Sequence, residues 1–228
     1  MPSSLIFDMD GTLFQTNKIL ELALDETFAY LTSLNEWSNE TPLQKYREIM
    51  GVPLPVVWET LLPTHSNEIR QRANEFFHDK LITNINNGNG ALYPHVREVF
   101  DYLKETGSSI FIASNGQVEY LNAIVNYYNF DVWVTETFSI QQIQTQNKAD
   151  LVNFILNKYN IEHAAVVGDR LSDIHAAKSN GLMAIGCRFD FSQEDELAQA
   201  DAIIDDLLEL RTLISDKMNT EHERGSWK

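Results

Sequence analysis

Two aspartates separated by one residue, Asp8 and Asp10, close the apolar stretch Leu5-Ile6-Phe7 near the start of the chain. Alternate residues of a strand face the same side, so this spacing predicts both carboxylates together at the strand's carboxyl end. Open α/β sheets collect their ligands at that edge. Like charges this close repel and desolvate one another, and something must compensate them. A divalent cation would do so, and so would a proton shared between the pair. A strand that simply ends in the turn Asp10-Gly11 accounts for the same residues without any chemistry.

Three other places carry polar groups next to short apolar runs. Ser114 and Asn115 follow the run 109–113, Lys148 opens a helix-like stretch after the polar residues 141–147, and Gly168-Asp169-Arg170-Leu171-Ser172-Asp173 follows Ala165-Val166-Val167. Each has an ordinary use by itself. Ser114 or Asn115 would cap a helix, Lys148 would be solvated, and Asp169 and Asp173 would serve a turn. Taken jointly, all of them fall at the carboxyl ends of strands or in the adjoining turns, where one crevice could collect them.

The elements that would position these groups follow from periodicity. Helical spacing runs through 19–34, 44–50, 55–62 and 66–85, broken by Gly51, Pro53 and Pro63, and no alternating strand pattern occurs between 16 and 88. Asn86-Asn87-Gly88-Asn89-Gly90 then marks a junction. Beyond it, helices over 96–106, 118–128, 148–159, 173–180 and 207–217 alternate with strands over 109–113, 132–134, 164–167, 183–185 and 202–204. That alternation predicts a parallel sheet with right-handed crossovers. The expected organisation is an α/β core, 1–15 with 91–218, a helical insertion over 16–90, and a polar tail over 219–228. Inserted just after the acidic strand, the helical segment would stand over the sheet's carboxyl edge as a lid.

Composition narrows the function classes. Hydrophobic residues make up 43% of the 228, which argues for a real core. No apolar run approaches the roughly 20 residues of a membrane span, and Met1-Pro2-Ser3-Ser4 has no basic segment of the kind that opens a secretory signal. With 17 Lys and Arg against 33 Asp and Glu the net charge is −16, a field that repels nucleic acid and anionic membranes. Cys187 is the single cysteine, so no intrachain disulfide can form, as suits a cytoplasmic protein. It is expected to be a small buried hydrophobe.

These motifs resemble those of the haloacid dehalogenase superfamily. The Asp-x-Asp-Gly-Thr segment matches Asp8–Thr12, the serine or threonine after the second strand matches Ser114, the lysine matches Lys148, and the Gly-Asp-x-x-x-Asp segment matches Gly168–Asp173. The insertion is similar to the small helical cap of the phosphoglycolate phosphatase-like branch, as is Gly51-Val52-Pro53-Leu54 within it. The resemblance implies a Rossmann-like three-layer core with a parallel sheet and an inserted all-helical cap. It also implies hydrolysis of a small phosphorylated metabolite through an aspartyl-phosphate. Asp8 would be the nucleophile and Asp10 the acid and then the base. Mg²⁺ would be held by the Asp8 carboxylate, the Asp10 carbonyl and Asp169, with Asp173 supporting it. Ser114, the Asn115 backbone N–H and Lys148 would bind the phosphoryl group.

Relatives of several activities share these motifs. Carbon–halogen cleavage needs no proton on its halide, whereas an alkoxide leaving group does, so Asp10 favours a phosphatase over a dehalogenase. A phosphomutase would need a second phosphate clamp, and none is evident; pyrophosphate stays open as a substrate. A non-enzymatic binding module would lack one of the required charges, and none is missing. Gln15, Thr16, Asn17, Lys18, Lys45 and Arg47 are candidate substrate contacts of the insertion. Trp37 and Trp58 suit its core, and Arg170 would either steady a loop or counterbalance the acids. The histidines show no metal-ligand spacing. The chain is expected to act as a monomer or homodimer.

Overall fold

The computed structural model of the chain describes residues 4–49 and 54–215. Gly51, Val52 and Pro53, the tail 219–228 and the end of the last expected helix lie outside them. Six strands, β1 (Ser4–Phe7), β2 (Ser109–Ser114), β3 (Val134–Ser139), β4 (Ala164–Gly168), β5 (Met183–Cys187) and β6 (Ala202–Ile204), form one sheet in the order β3-β2-β1-β4-β5-β6. Every pairing is parallel. β1 lies in the middle, with Phe7 level with Ile112 of β2 and Val167 of β4. All four of its residues are buried, which is why its sequence is apolar without alternation.

Helices cover both faces of the sheet. Ile6, Phe111, Val166 and Ala184 pack with Leu151, Val152 and Ile155 of α7 (Lys148–Tyr159) and with Ile174 and Ala177 of α8 (Leu171–Ser179). On the opposite face Phe7 meets Phe100 of α5 (Val96–Glu105) edge-on at 5.4 Å, and Phe100 meets Phe130 at 5.5 Å. The remaining helices of this part are α6 (Val118–Tyr128), the short α9 (Glu194–Leu197), and a helix that runs from 209 to the last described residue, 215.

The chain divides into two compact units, one formed by the segments up to Gln15 and from Ala91 on, the other by Thr16–Gly90. Within the described residues the second unit is all helical: α1 (Asn17–Ser33), α2 (Leu43–Glu48), α3 (Leu54–Leu61) and α4 (Asn67–Asn86). Tyr30 of α1 stacks on Phe76 of α4 at 4.2 Å, and the Ser66 hydroxyl caps α4 by accepting from the Ile69 amide. Trp58 is buried, with its indole N–H donating to Asn74. Trp37 packs edge-on against Phe28 at 4.7 Å. Trp58 serves the core of this unit, whereas Trp37 is half-buried at its surface and donates its indole N–H to the Glu40 carbonyl.

The third strand lies further along the chain than its sequence suggests. Residues 130–132 form a single 3₁₀ turn, and the strand runs over Val134–Ser139. Asn129 takes a left-handed conformation (φ 56°) that ends α6, and buried Phe130 pins the turn that follows. β3 is an edge strand, so its polar Thr135-Glu136-Thr137 is tolerated, and hydrophobic periodicity gives no sign of it. α8 starts at Leu171, two residues before its expected start, and the single-turn α9 is too short to show a helical period.

Phe100 joins three aromatic contacts, with Phe7, Phe130 and Trp133, and has no exposure. Phe100→Ala is expected to cost about 3–5 kcal/mol, read as a lowered urea midpoint at unchanged slope; a loss under about 1 kcal/mol would contradict this packing.

Candidate active site

The register of the sheet brings the sequence-selected acids together. Asp8 follows β1 directly and extends the ladder, its amide donating to the Val167 carbonyl at 2.9 Å. Asp169 follows β4, on the neighbouring strand, and Asp173 lies one turn into the next helix, α8. Carboxylate oxygens of Asp8, Asp169 and Asp173 all lie within 4.8 Å of one another, and all three residues are buried. Lys148, the first residue of α7, is buried against them. Its ammonium lies 2.6 Å from Asp8 Oδ1 and 2.5 Å from Asp173 Oδ1. Asn147 fixes where that helix begins, its side chain accepting from the Ala149 amide at 2.8 Å.

Two glycines make this packing possible. Gly11 has φ +77°, and a Cβ there would sit 2.4 Å from Asp169 Oδ2. A Cβ at Gly168 would lie 2.1 Å from Asp173 Cγ. Any side chain at either position would have to displace an acid of the cluster. Thr12, fully buried, donates its hydroxyl to Asp169 Oδ1 at 3.2 Å. Asp173 is tied to its own helix start, with Oδ2 accepting from the Arg170 amide at 3.1 Å.

Electrostatics leave the cluster short of positive charge. Three ionised carboxylates at this spacing repel by roughly 3–4 kcal/mol per pair at an effective dielectric of about 20, and Lys148 cancels one charge of three. Burial pushes the Asp8 carboxyl up to about 7; Lys148 opposes the rise, and Asp173 and Asp10 add to it. Burial, then Asp8 and Asp173, also raise Asp169 well above the usual carboxylate range. Burial opposes the charge of Lys148, but Asp173 and Asp8 outweigh it and hold the ammonium above an ordinary lysine. Asp169 Oδ2 is buried and has no hydrogen-bond partner among the described residues. An all-oxygen set with an orphaned buried carboxylate oxygen fits a hard divalent cation such as Mg²⁺ or Ca²⁺.

Asp10, Ser114 and Asn115 follow or end β1 and β2 at the same edge, with different partners. Asp10 is half-buried in the turn after β1, and its Oδ1 accepts from the Tyr120 hydroxyl at 2.5 Å. Ser114 ends β2 and is buried, its Oγ accepting from the Gly116 amide at 2.9 Å. Asn115 is exposed. Arg170 steadies a loop: its guanidinium donates to both carboxylate oxygens of Glu196, at 3.0 and 3.3 Å, while Glu196 Oε2 also accepts from the Leu171 amide. Among the candidate contacts of the insertion, Arg47 is engaged with Glu21 at 2.5 Å, and Lys18 and Lys45 are exposed. Cys187 is fully buried, and burial pushes its thiol well up, so it behaves as a core residue.

The chain matches the family model described as haloacid dehalogenase-like hydrolase over residues 5–187, a stretch that spans Asp8, Ser114, Lys148, Asp169 and Asp173. It belongs to that family. Among curated relatives, a 5'-nucleotidase of Pseudomonas aeruginosa is 23% identical, with 85% of this chain and 86% of that protein covered. A phosphoglycolate phosphatase of Haemophilus influenzae is 25% identical, with 91% and 96% covered. The crystal structure of a predicted phosphoglycolate phosphatase from Haemophilus somnus superposes with a TM-score of 0.79 at 20% identity, covering 93% of this chain and 98% of that one. The haloacid dehalogenase-like fold, a Rossmann-like parallel sheet with an inserted helical domain, is thus the fold of this chain, and the protein is a hydrolase.

Several residues of this hydrolase's site are not evident in the sequence. Thr12 lies inside a recognised motif but has no assigned task there. Tyr120 reads as one more apolar position of α6, since nothing local couples it to an acid 110 residues earlier. Glu196 lies in a stretch with no helical period. No described helix is long and apolar enough to cross a membrane.

Adding Mg²⁺ to metal-free protein is expected to raise its melting temperature with increasing concentration. Asp169→Asn should largely abolish that shift while the variant stays folded; an equal shift in the variant would take Asp169 out of the cation site.

Proposed function

We propose that this hydrolase is a Mg²⁺-dependent phosphatase that cleaves a small phosphomonoester through an aspartyl-phosphate on Asp8. The observation that carries the reading is the Asp8 carboxylate, held at a strand end by Lys148 at 2.6 Å and flanked by Asp169, whose buried Oδ2 lacks a partner. Asp8 and Asp169, with the Asp10 backbone carbonyl, would hold the cation, and Asp173 would support them. When bound, Mg²⁺ supplies positive charge for the phosphoryl oxygens.

The chain's own groups divide the work. Asp8 attacks phosphorus in line, which splits one difficult hydrolysis into two steps. Lys148 keeps Asp8 oriented and neutralises charge that develops during transfer. Ser114 and the Asn115 backbone N–H donate to phosphoryl oxygens. Asp10, whose Oδ1 accepts from the Tyr120 hydroxyl, protonates the departing alkoxide and then takes a proton from the attacking water. Asp10 also separates this reading from a dehalogenase, whose halide needs no proton.

The substrate class rests on the relatives. Curated proteins of similar length are named phosphoglycolate phosphatase and 5'-nucleotidase. A small soluble metabolite with one phosphate, phosphoglycolate or a similar compound, is the first choice, and nucleoside monophosphates are the second. The helical unit Thr16–Gly90 is the cap of this reading and the source of selection within the class. The lone buried Cys187 and the acidic composition suit a reducing cytoplasm.

Asp8→Asn is expected to lower turnover of an aryl phosphate by roughly a thousandfold or more at unchanged melting temperature; full activity in that variant would end the aspartyl-phosphate reading. Asp169→Ala should raise the Mg²⁺ concentration for half-maximal activity more than Asp173→Ala does, because Asp173 is engaged by Lys148 and the Arg170 amide. A panel of phosphometabolites with Mg²⁺ ranks the substrates, and a panel with no turnover at all would contradict the proposal.

A further inference from the structure

Asparagine followed by glycine occurs four times in the chain, at 87–88, 89–90, 115–116 and 180–181. Such a pair is reactive, because the glycine nitrogen, with no side chain beside it, can attack the asparagine carboxamide. The four are held differently. At Asn180, Nδ2 donates to the Ala149 and Ala176 carbonyls at 2.9 and 2.8 Å, and Oδ1 accepts from Asn153 at 3.0 Å. The Gly181 amide donates to the Lys178 carbonyl at 3.1 Å, and the Gly88 amide, after Asn87, to the Ile85 carbonyl at 2.9 Å. Asn89 Nδ2 donates to Asn84 Oδ1 at 2.8 Å. Asn115 is exposed in the turn between β2 and α6, and the amide after it, that of Gly116, donates to Ser114 Oγ at 2.9 Å. A carbonyl cannot pass a proton on, whereas a hydroxyl accepts one and releases its own. The nitrogen that must lose its proton before it attacks therefore has a relay at Gly116 that Gly88 and Gly181 lack. The fold also retains this glycine. A Cβ there would lie 3.1 Å from Leu121 Cδ2 and from Tyr120 Cδ1, and the Ser139 hydroxyl holds the Gly116 carbonyl at 2.6 Å.

We propose that Asn115-Gly116 is a site of spontaneous deamidation that inactivates the enzyme; the inactivation, though not the site, rests on the phosphatase reading above. The Gly116 nitrogen gives up its proton through Ser114 Oγ and bonds to Asn115 Cγ. The bond from Cγ to the carboxamide nitrogen breaks, and that nitrogen leaves with a proton as ammonia. A succinimide ring remains, and one water opens it. Cleavage at Cγ yields aspartate, and cleavage at the backbone carbonyl yields isoaspartate, whose main chain runs through the former side chain. Either product adds a carboxylate beside Ser114, at the edge where the phosphoryl group binds, and like charge repels the incoming phosphate. Isoaspartate also moves Gly116 away from Ser114 and Ser139. A phosphoryl group at the site takes the Ser114 proton as a hydrogen bond, so the relay is engaged and the pair is protected while the site is occupied.

The test incubates the full chain at mildly alkaline pH and follows each Asn-Gly peptide by mass spectrometry, with turnover of p-nitrophenyl phosphate read in parallel. Asn115 is expected to convert ahead of Asn180, and the fraction of activity lost should equal the fraction converted at Asn115, not at Asn87 or Asn89. Inorganic phosphate with Mg²⁺ should slow conversion at Asn115 and leave Asn87 unaffected. Asn115→Gln, whose longer side chain closes the ring far more slowly, should keep its own starting rate over the same incubation. Asn115→Asp is expected to lower kcat/KM by roughly tenfold or more, through repulsion of the phosphate. Activity that falls while Asn115 is intact, full activity after Asn115 has converted, or conversion of Asn180 first would overturn the inference. If fresh protein turns over no phosphate ester, the phosphatase reading fails, and the order of conversion at Asn115 and Asn180 still decides the site.

Discussion

Burying three carboxylates around one lysine is the constraint on which the rest of this molecule depends. Lys148 meets Asp8 and Asp173 directly, and Asp169 completes the group with an oxygen that has no protein partner. Such a cluster is costly, because each ion loses its hydration and each like-charged pair repels. A protein keeps this arrangement where the missing charge arrives with a ligand. A divalent cation and the phosphoryl group it accompanies fit that description, and burial, with Asp173 and Asp10 beside it, pushes the Asp8 carboxyl up in the same sense.

The fold meets the constraint with ordinary means. Parallel strands end level with one another, so residues that follow β1 and β4 come side by side without long loops. Gly11 and Gly168 allow carboxylates to pack where any Cβ would intrude. Helix starts carry the remaining groups: Lys148 opens α7, and Asp173 sits in the first turn of α8, bound to the Arg170 amide. A second ring of contacts then fixes the first, through Thr12 on Asp169 and through Glu196 bridging the Arg170 guanidinium and the Leu171 amide. The strong negative charge of the whole chain is compatible with an anionic substrate because the local field at this edge is set by Lys148 and whatever cation joins it.

What was legible in the sequence was whatever local pattern determines. β1 is apolar because it is buried on both faces, and the pair Asp8 and Asp10 stands out because it interrupts that run. The starts of α6 and α7 follow from periodicity, the second with a cap at Asn147, and both lie where the spacing predicts. β3 was misplaced because an edge strand can afford Thr135-Glu136-Thr137, and the exposed Val132 imitated a strand residue. Tyr120, Glu196 and Ser139 were invisible for a different reason. Their work consists of contacts between residues far apart in the chain, and no local period encodes those. Arg170 was recognised as a residue with a task, but the choice between loop brace and counter-charge needed the position of Glu196.

The central claim is that Asp8 carries the phosphoryl group. The most direct measurement is peptide mass spectrometry after rapid acid quench of the enzyme mixed with Mg²⁺ and an aryl phosphate, using Asp10→Asn to slow hydrolysis of the intermediate. The account expects a phosphoryl adduct on the peptide that contains Asp8, located on that residue by fragmentation, and no adduct when Asp8→Asn is added. A phosphoryl group on another residue, or turnover with no covalent adduct at any quench time, would contradict it.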